Sequence, residues 1–249
     1  YEDGDGDGFG NLSSTLLACS EPDGYTDDSA DCDDGDDDIN PGAEETCDGE
    51  NEDCDEETDE DAIDVILGGA RSHYAWRDEA ISDDVLQRIY EVAASGPTSM
   101  NSCPARFVFV SSAEGKERLA RSLKPANLEK MRAAPVTAIV AHDLEFWRKL
   151  PFLFPHEDRR HHFDGKPEHA EMTAFRNGTL QGAYLMIAAR AMGLDVGPMS
   201  GFSNEIVDQE FFADTSFRSN FLCSLGYADE SALFQKLPRF PYEEVCSHA

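Results

Sequence analysis

EHAEMTAFRNGTLQGAYLMIAARAMG, residues 168–193, reads as one long helix, because its apolar residues persist at helical spacing and Gly193 suits the cap. Gly178 and Gly182 lie four apart on one face of it, where small residues let a partner helix approach closely. Upstream, Arg106-Phe107-Val108-Phe109-Val110 and Pro135-Val136-Thr137-Ala138-Ile139-Val140 read as buried strands, and downstream 219–227 reads as a third. Residues 113–123 and 126–133 look helical. So does the run that begins at Ser82, an N-cap with Asp83 and Asp84 in its first turn and Val85, Ile89 and Val92 at helical spacing, until Gly96-Pro97 stops it. The pattern is α+β. No G-x-G-x-x-G follows a strand, so a Rossmann dinucleotide site is not expected.

Charge divides the 249 residues unevenly. Residues 1–62 hold 26 of the 51 acids and none of the 20 Lys and Arg, so most of the net charge of −31 is local and the remainder carries only −5. This places a small, irregular acidic module at 1–62 and a globular domain at 63–249. The module has too few apolar residues to fold by burial and needs cations, disulfides or both. Such an excess of carboxylates excludes nucleic acid and anionic membrane surfaces as natural partners, since phosphates would be repelled. No apolar run is long enough for a membrane span. A chain opening on Tyr1 reads as a fragment.

Within the module, Asp3-Gly4-Asp5-Gly6-Asp7-Gly8-Phe9-Gly10 sets carboxylates on alternate residues, a spacing of hard oxygen ligands that suits calcium. A second turn offers Asp31, Asp33 and Asp36, with Glu44 placed to close the cage, and a third offers Asp48, Asn51, Asp53 and Asp55. A solvated acidic tail is the plain alternative, against which the regular Gly and Cys placement weighs. Four cysteines allow three pairings; Cys19 with Cys32 and Cys47 with Cys54 is the expected one. The stretches at 3–60 resemble the short acidic, Cys-bearing metal-binding repeats of bacterial surface proteins, akin to MopE-type repeats and thrombospondin type 3 calcium repeats.

In the domain, four segments form a constellation. Arg71-Ser72-His73-Tyr74 offers a cation and a hydroxyl. Pro97-Thr98-Ser99-Met100-Asn101 is a turn rich in hydrogen-bonding groups, and Gly197-Pro198-Met199-Ser200-Gly201-Phe202 reads as a loop whose small residues let backbone amides approach a ligand. Lys236-Leu237-Pro238-Arg239 adds two cations. A ligand with a phosphate at one end and a flat polar heterocycle at the other would use all four. Taken singly, each has a plain reading as a surface ion pair, a helix stop or a turn.

In this order the segments resemble the flavin-dependent nitroreductase family. More narrowly, Pro104-Ala105-Arg106-Phe107-Val108-Phe109, Phe154-Pro155-His156, Thr173-Ala174-Phe175-Arg176-Asn177 and Gly197–Phe202 look like its malonic semialdehyde reductase (RutE/HadB) subfamily. The resemblance covers about residues 64–246. It implies a nitroreductase-like fold, with a mixed sheet flanked by helices, and a homodimer with one FMN at each subunit interface. Arg71, Ser72 and His73 would hold the phosphate and ribityl end with Lys236 and Arg239; Pro97, Thr98, Ser99 and Asn101 would approach from the other subunit; Pro198, Met199, Ser200 and Gly201 would lie along the ring. Where many members continue with Gln-Pro-Trp after Asn101, this chain has Ser102-Cys103-Pro104-Ala105. The implied reaction is ping-pong hydride transfer from NAD(P)H through flavin N5 to malonic semialdehyde, giving 3-hydroxypropanoate. A broad nitro- or quinone reductase is the alternative enzyme, and a calcium-binding surface protein with a non-catalytic reductase-like domain is the alternative from another class.

Pro155–Phe163 holds three of the seven histidines together with Arg159 and Arg160, and reads as a basic lid rather than a metal site. The two halves point to different compartments, the repeats being extracytoplasmic in type and the reductase domain cytoplasmic.

Overall fold

Val136–Asp143 forms the central strand, β2, and all eight of its residues are buried. Its sequence suits that place, since β-branched side chains pack well on a pleat and alternate residues serve opposite faces. The computed structural model describes residues 1–249 except 19, 21, 44–50, 52, 53, 55–63 and 234. The chain divides into two units, Tyr1–Ala70 and Arg71–Ala249.

In the second unit, β1 (Ala105–Val110), β2, β3 (Asp195–Met199) and β4 (Phe217–Gly226) form one sheet in the order β1-β2-β4-β3. The strand pairings are antiparallel, with Phe107 opposite Val140, Ile139 opposite Leu222 and Val196 opposite Leu225. A register shift between Val140 and Ala141 leaves Asn220 as the extra residue of a bulge in β4. Parallel pairing, the mixed element expected of the sheet, enters at the β3 edge through an isolated bridge from Ser72 to Val196.

Helices α1 (Asp83–Ala93) and α4 (Pro167–Ala191) cover one face; α2 (Ala113–Ala120), α3 (Pro125–Ala133) and α5 (Asn204–Phe211) cover the other. The alternation of β2 assigns the two cores. Val136, Ala138 and Val140 pack with Leu86, Ile89 and Leu185 on the first face, while Ile139 and Ala141 pack with Leu119, Met131 and Val207 on the second. Burying each of these larger aliphatic side chains stabilises the unit by roughly 1.5–3 kcal/mol.

Local chemistry starts and stops the helices. Ser82, Ser112 and Ser203 each accept the amide three residues on, from Val85, Gly115 and Ile206. Gly193, at φ 76°, ends α4. Gly178 and Gly182 do lie on its contact face, but the sheet approaches there rather than a helix. A Cβ on Gly178 would stand 2.8 Å from His142 Cβ, and one on Gly182 would stand 2.6 Å from the Phe221 ring. Among the described residues no helix is long and apolar enough to cross a membrane.

The first unit is built differently. Glu2 bridges Asn11 and Tyr25, Asn11 bridges Asp31, and Asp64–Gly68 makes a π-helical turn. Side-chain oxygens take the amide two residues on, as in Asp7 to Phe9, Asn11 to Ser13 and Asp31 to Asp33. Leu12, Leu16 and Leu17 are exposed. Cys32 is bonded to Cys54, with Cα atoms 5.6 Å apart, which corrects the expected pairing of Cys19 with Cys32 and Cys47 with Cys54. The loops that meet in space decide such a pairing, and order along the chain does not. Cys19 and Cys47 lie outside the described residues.

Candidate functional site

At the β3 edge, the His73 amide donates to Val196 O at 3.0 Å, and His73 Nε2 lies 3.1 Å from Asp195 Oδ1. His73 is therefore buried and engaged by the strand beside it, while Ser72 next to it is exposed. Gly197 makes the close approach possible, since a Cβ there would collide with the His73 carbonyl. Arg190, in the last turn of α4, donates to Arg71 O at 3.3 Å. Burial pushes the Arg190 guanidinium below its ordinary pKa, against the opposing pull of Cys223 and Asp195. Arg71, Ser72, His73 and Arg190 thus gather beside Asp195–Pro198.

The stretch expected as a loop at 197–202 begins inside β3, which ends at Met199. Pro198, without an amide hydrogen, is tolerated because β3 is an edge strand. The Met199 side chain is buried in the core with Ile139 and Leu222, so only its backbone is left for a ligand. Pro198 and Ser200 are exposed. Gly201 O accepts the Lys124 amide at 3.1 Å and Asn127 Nδ2 at 3.3 Å, which fixes the chain as it leaves the strand.

The Pro97–Asn101 turn lies elsewhere, leading into β1 at the opposite edge of the sheet. Two side chains of α4 anchor this region. Asn177 Oδ1 accepts the Ser99 amide at 2.8 Å, and Gln181 Oε1 accepts the Ala105 amide at 2.9 Å. Thr98 Oγ1 accepts the Cys103 amide at 3.2 Å, and Asn101 Nδ2 donates to Leu153 O at 2.9 Å. Met100, Asn101 and Cys103 take φ of 54°, 48° and 38°. Left-handed backbone at non-Gly residues costs about 1–3 kcal/mol each and clusters at functional sites. Ser102 Oγ, in the same turn, is buried without a hydrogen-bond partner.

Three strand spacings, roughly 14 Å, separate the β1 and β3 edges. One chain therefore does not bring Pro97, Thr98, Ser99 and Asn101 together with Arg71 and Pro198–Gly201. Lys236 and Arg239 are exposed on the C-terminal segment, where Arg239 donates to Leu237 O and Pro238 O. The arginines of the His-rich segment are paired within it, Arg159 with Glu157 at 2.5 Å and Arg160 with Asp158 at 2.7 Å, which uses up the charge expected of a basic lid. The bond from Arg160 holds the Asp158 carboxyl down at about 2. Sequence reading missed Arg190 and Asp195, and had Asn177 only as part of the Thr173–Asn177 motif, without its contact. Arg190 looks like an ordinary helix-ending cation, and nothing along the chain announces the contacts that Asn177 and Asp195 make.

In the first unit, the carboxylates of Asp3, Asp5 and Asp7 lie within 4.8 Å of one another, and the exposed Asp36, Asp37 and Asp38 form a second such group. Burial pushes the Asp31 carboxyl up; Asp7, Asp5 and Asp34 add to this, and the bond from the Asp33 amide opposes it. Asp33 and Asn51 are exposed. Glu44, Asp48, Asp53 and Asp55 lie outside the described residues.

A sequence profile described as Nitroreductase family matches residues 67–227. Among solved structures, one described as a nitroreductase from Bacillus subtilis is 19% identical, with a TM-score of 0.68 over 76% of this chain and 100% of its own. A structure from Exiguobacterium sibiricum, described as a nitroreductase in complex with FMN, is 24% identical, with a TM-score of 0.66 over 74% of this chain and 95% of its own. One from Staphylococcus epidermidis, described as an NAD(P)H:FMN oxidoreductase, is 20% identical, with a TM-score of 0.66 over 75% of this chain and 95% of its own.

Proposed function

We propose, from the premise that this chain belongs to the nitroreductase family and is a flavin-dependent oxidoreductase, that it works as an FMN-bound homodimer and passes hydride from NAD(P)H to malonic semialdehyde. The observation that carries the dimeric site is the placement of its two halves at opposite edges of one sheet. A flavin touched by both the Pro97–Asn101 turn and the Arg71–His73 segment would be shared between copies. The exposed apolar residues Met172, Phe175 and Leu180 of α4 offer a second copy a surface to cover.

The residues fit such a cofactor. A phosphate asks for guanidinium groups and a hydroxyl, which Arg71, Arg190 and Ser72 supply at the β3 edge. A flat ring asks for backbone it can lie along, and Pro198–Gly201 follows on the same edge. The strained turn at Met100 and Asn101 is held by Asn177 in a shape it would not keep alone. When bound, FMN supplies the hydride chemistry. The chain's own work is to bind it, exclude water and orient an acceptor beside it. The motifs at Phe154–His156, Thr173–Asn177 and Gly197–Phe202 support the aldehyde as that acceptor.

Purified protein should be yellow, and NADPH oxidation should proceed with a higher kcat/KM for malonic semialdehyde than for nitroaromatics or quinones, with ping-pong kinetics. Preference for the nitro or quinone acceptor would replace the substrate reading while leaving the flavin reading intact. Colourless protein that takes up no added FMN would overturn both, and would leave a binding module.

A further inference from the structure

We infer that the cleft at the end of β1 away from the Pro97–Asn101 turn is a second binding site, for a small monocarboxylate with an apolar body. Lys116 and Arg77 take its carboxylate. This goes beyond the flavin reading and does not depend on it, since none of the candidate flavin residues lines the cleft.

The cleft has a volume of about 470 Å³, within the range of ordinary small-molecule sites. It lies where β1 has ended and β2 begins, so the length of β1, roughly 20 Å of strand, separates it from the turn. Residues 76–81 line one side, and α2 with the end of α3 lines the other.

The carrying observation is that two cations of this cleft have no counter-charge. In a chain so rich in acids, surface arginines find carboxylates, as Arg88 does with Glu91, Arg121 with Glu210 and Arg148 with Glu145. Arg132, which also lines the cleft, is paired with Glu117. Lys116 and Arg77 meet only backbone carbonyls among the described residues. Lys116 Nζ donates to Ala134 O at 2.6 Å and to Arg132 O at 3.4 Å, and Arg77 Nε donates to Ala228 O at 3.0 Å. Carbonyls carry no counter-charge, and one N–H of the ammonium and both Nη groups of the guanidinium are left for an anion. Lys116 is half-buried, and burial lowers its pKa because the charge is poorly solvated there. A carboxylate beside it would offset that cost. Holding the end of α3 accounts for a donor at this position, but an uncharged donor would hold it as well.

The rest of the lining sets the rest of the ligand. Trp76, Ile81, Pro135 and Val136 give it an apolar side, against which an alkyl or aryl body can be covered. Asp78 and Glu79, exposed on the same cleft, oppose a second negative charge. The set suits one carboxylate on an apolar body better than a phosphate or a dicarboxylate.

Calorimetric titration of the full chain with phenylacetate tests this. One equivalent should bind, and phenylacetamide, alike in shape but uncharged, should bind at least about tenfold more weakly. Lys116→Gln keeps a donor for Ala134 O while removing the charge, and should weaken phenylacetate by about tenfold or more. Arg77→Gln, at an exposed position, should weaken it by about threefold, and Arg121→Gln, with the same change in charge outside the cleft, should leave it within about twofold. In Trp147→Phe the one remaining tryptophan is Trp76, whose fluorescence should change on binding. No saturable phenylacetate binding, equal affinity for the amide, or unchanged affinity in both Lys116→Gln and Arg77→Gln would each overturn the site. So would tighter binding of inorganic phosphate, or binding that alters flavin absorbance and leaves Trp76 unchanged. Should Lys116→Gln fail to give soluble protein, Arg77→Gln and the amide comparison read the same site.

Discussion

Ile139 and Asp31 are both buried, in different units and for opposite reasons. Ile139 is fully enclosed beside Leu119, Met131 and Leu222, where leaving water is itself the gain. Asp31 is enclosed at a cost that its surroundings do not offset, among other carboxylates. The sheet unit is stabilised by apolar area. The acidic unit depends on amides gripped by side-chain oxygens and on the Cys32–Cys54 disulfide. Folding by burial and folding by side-chain-to-amide bonds with a disulfide therefore occur in one chain, and each should fail under different treatment.

The strongest test of that contrast is Ile139→Ala, which should destabilise the sheet unit by about 2–5 kcal/mol and lower its Tm by about 2–4 °C for each kcal/mol. The proteolytic pattern of the acidic unit should not change, and a joint change would break the contrast. Next comes Cys32→Ser, which should cost the acidic unit roughly 2–4 kcal/mol, read as faster cleavage within residues 1–70. The thermal transition of the sheet unit should stay where it was. The smallest effect is one of pH. Burial lowers the His142 pKa, with Glu171, Asp208 and Asp143 pulling the other way and Arg218 adding to the fall. Below about 6.5 the unfolded chain takes a proton that the folded chain refuses. Stability present at pH 7.5 is thus lost as pH falls through 6.5 toward the lower folded value. The Tm of the sheet unit should be lower at pH 5.5 than at pH 7.5, and His142→Gln should flatten the difference.

What the sequence made legible follows from the range of the forces involved. The start of α1 at Ser82 and the end of α4 at Gly193 are local chemistry, and both stand where the residues indicate. Strands β1, β2 and β4 announce themselves by apolar runs. β3 does not, because Gly197 and Pro198 interrupt the pattern, and only the pairing of Val196 with Leu225 reveals it as a strand. Gly178 and Gly182 signal a close approach and, by sequence, a partner helix, whereas the sheet stands there, since a missing side chain carries no address. The Cys32–Cys54 bond and the meeting of Asp31 with the first turn depend on how loops fold back, which spacing alone does not encode. Of the candidate site, Arg71, Ser72 and the Pro198–Gly201 segment were readable as chemistry, whereas Arg190 and Asn177 act through contacts distant in sequence.

Those last two residues belong to the same helix. Asn177 fixes the turn that leads into β1, Arg190 reaches the Arg71 carbonyl beside β3, and α4 runs unbroken between them. Thirteen residues of helix span roughly 20 Å. The helix is in that sense a ruler, graduated in steps of about 1.5 Å and 100°. Changing a side chain along it alters one contact, but inserting a single residue between Gln181 and Arg190 would turn one end away from its mark while leaving the other in place. The gauge between the turn before β1 and the β3 edge is set by a count of residues, and insertions and deletions in this helix should be far less tolerated than substitutions on its exposed face.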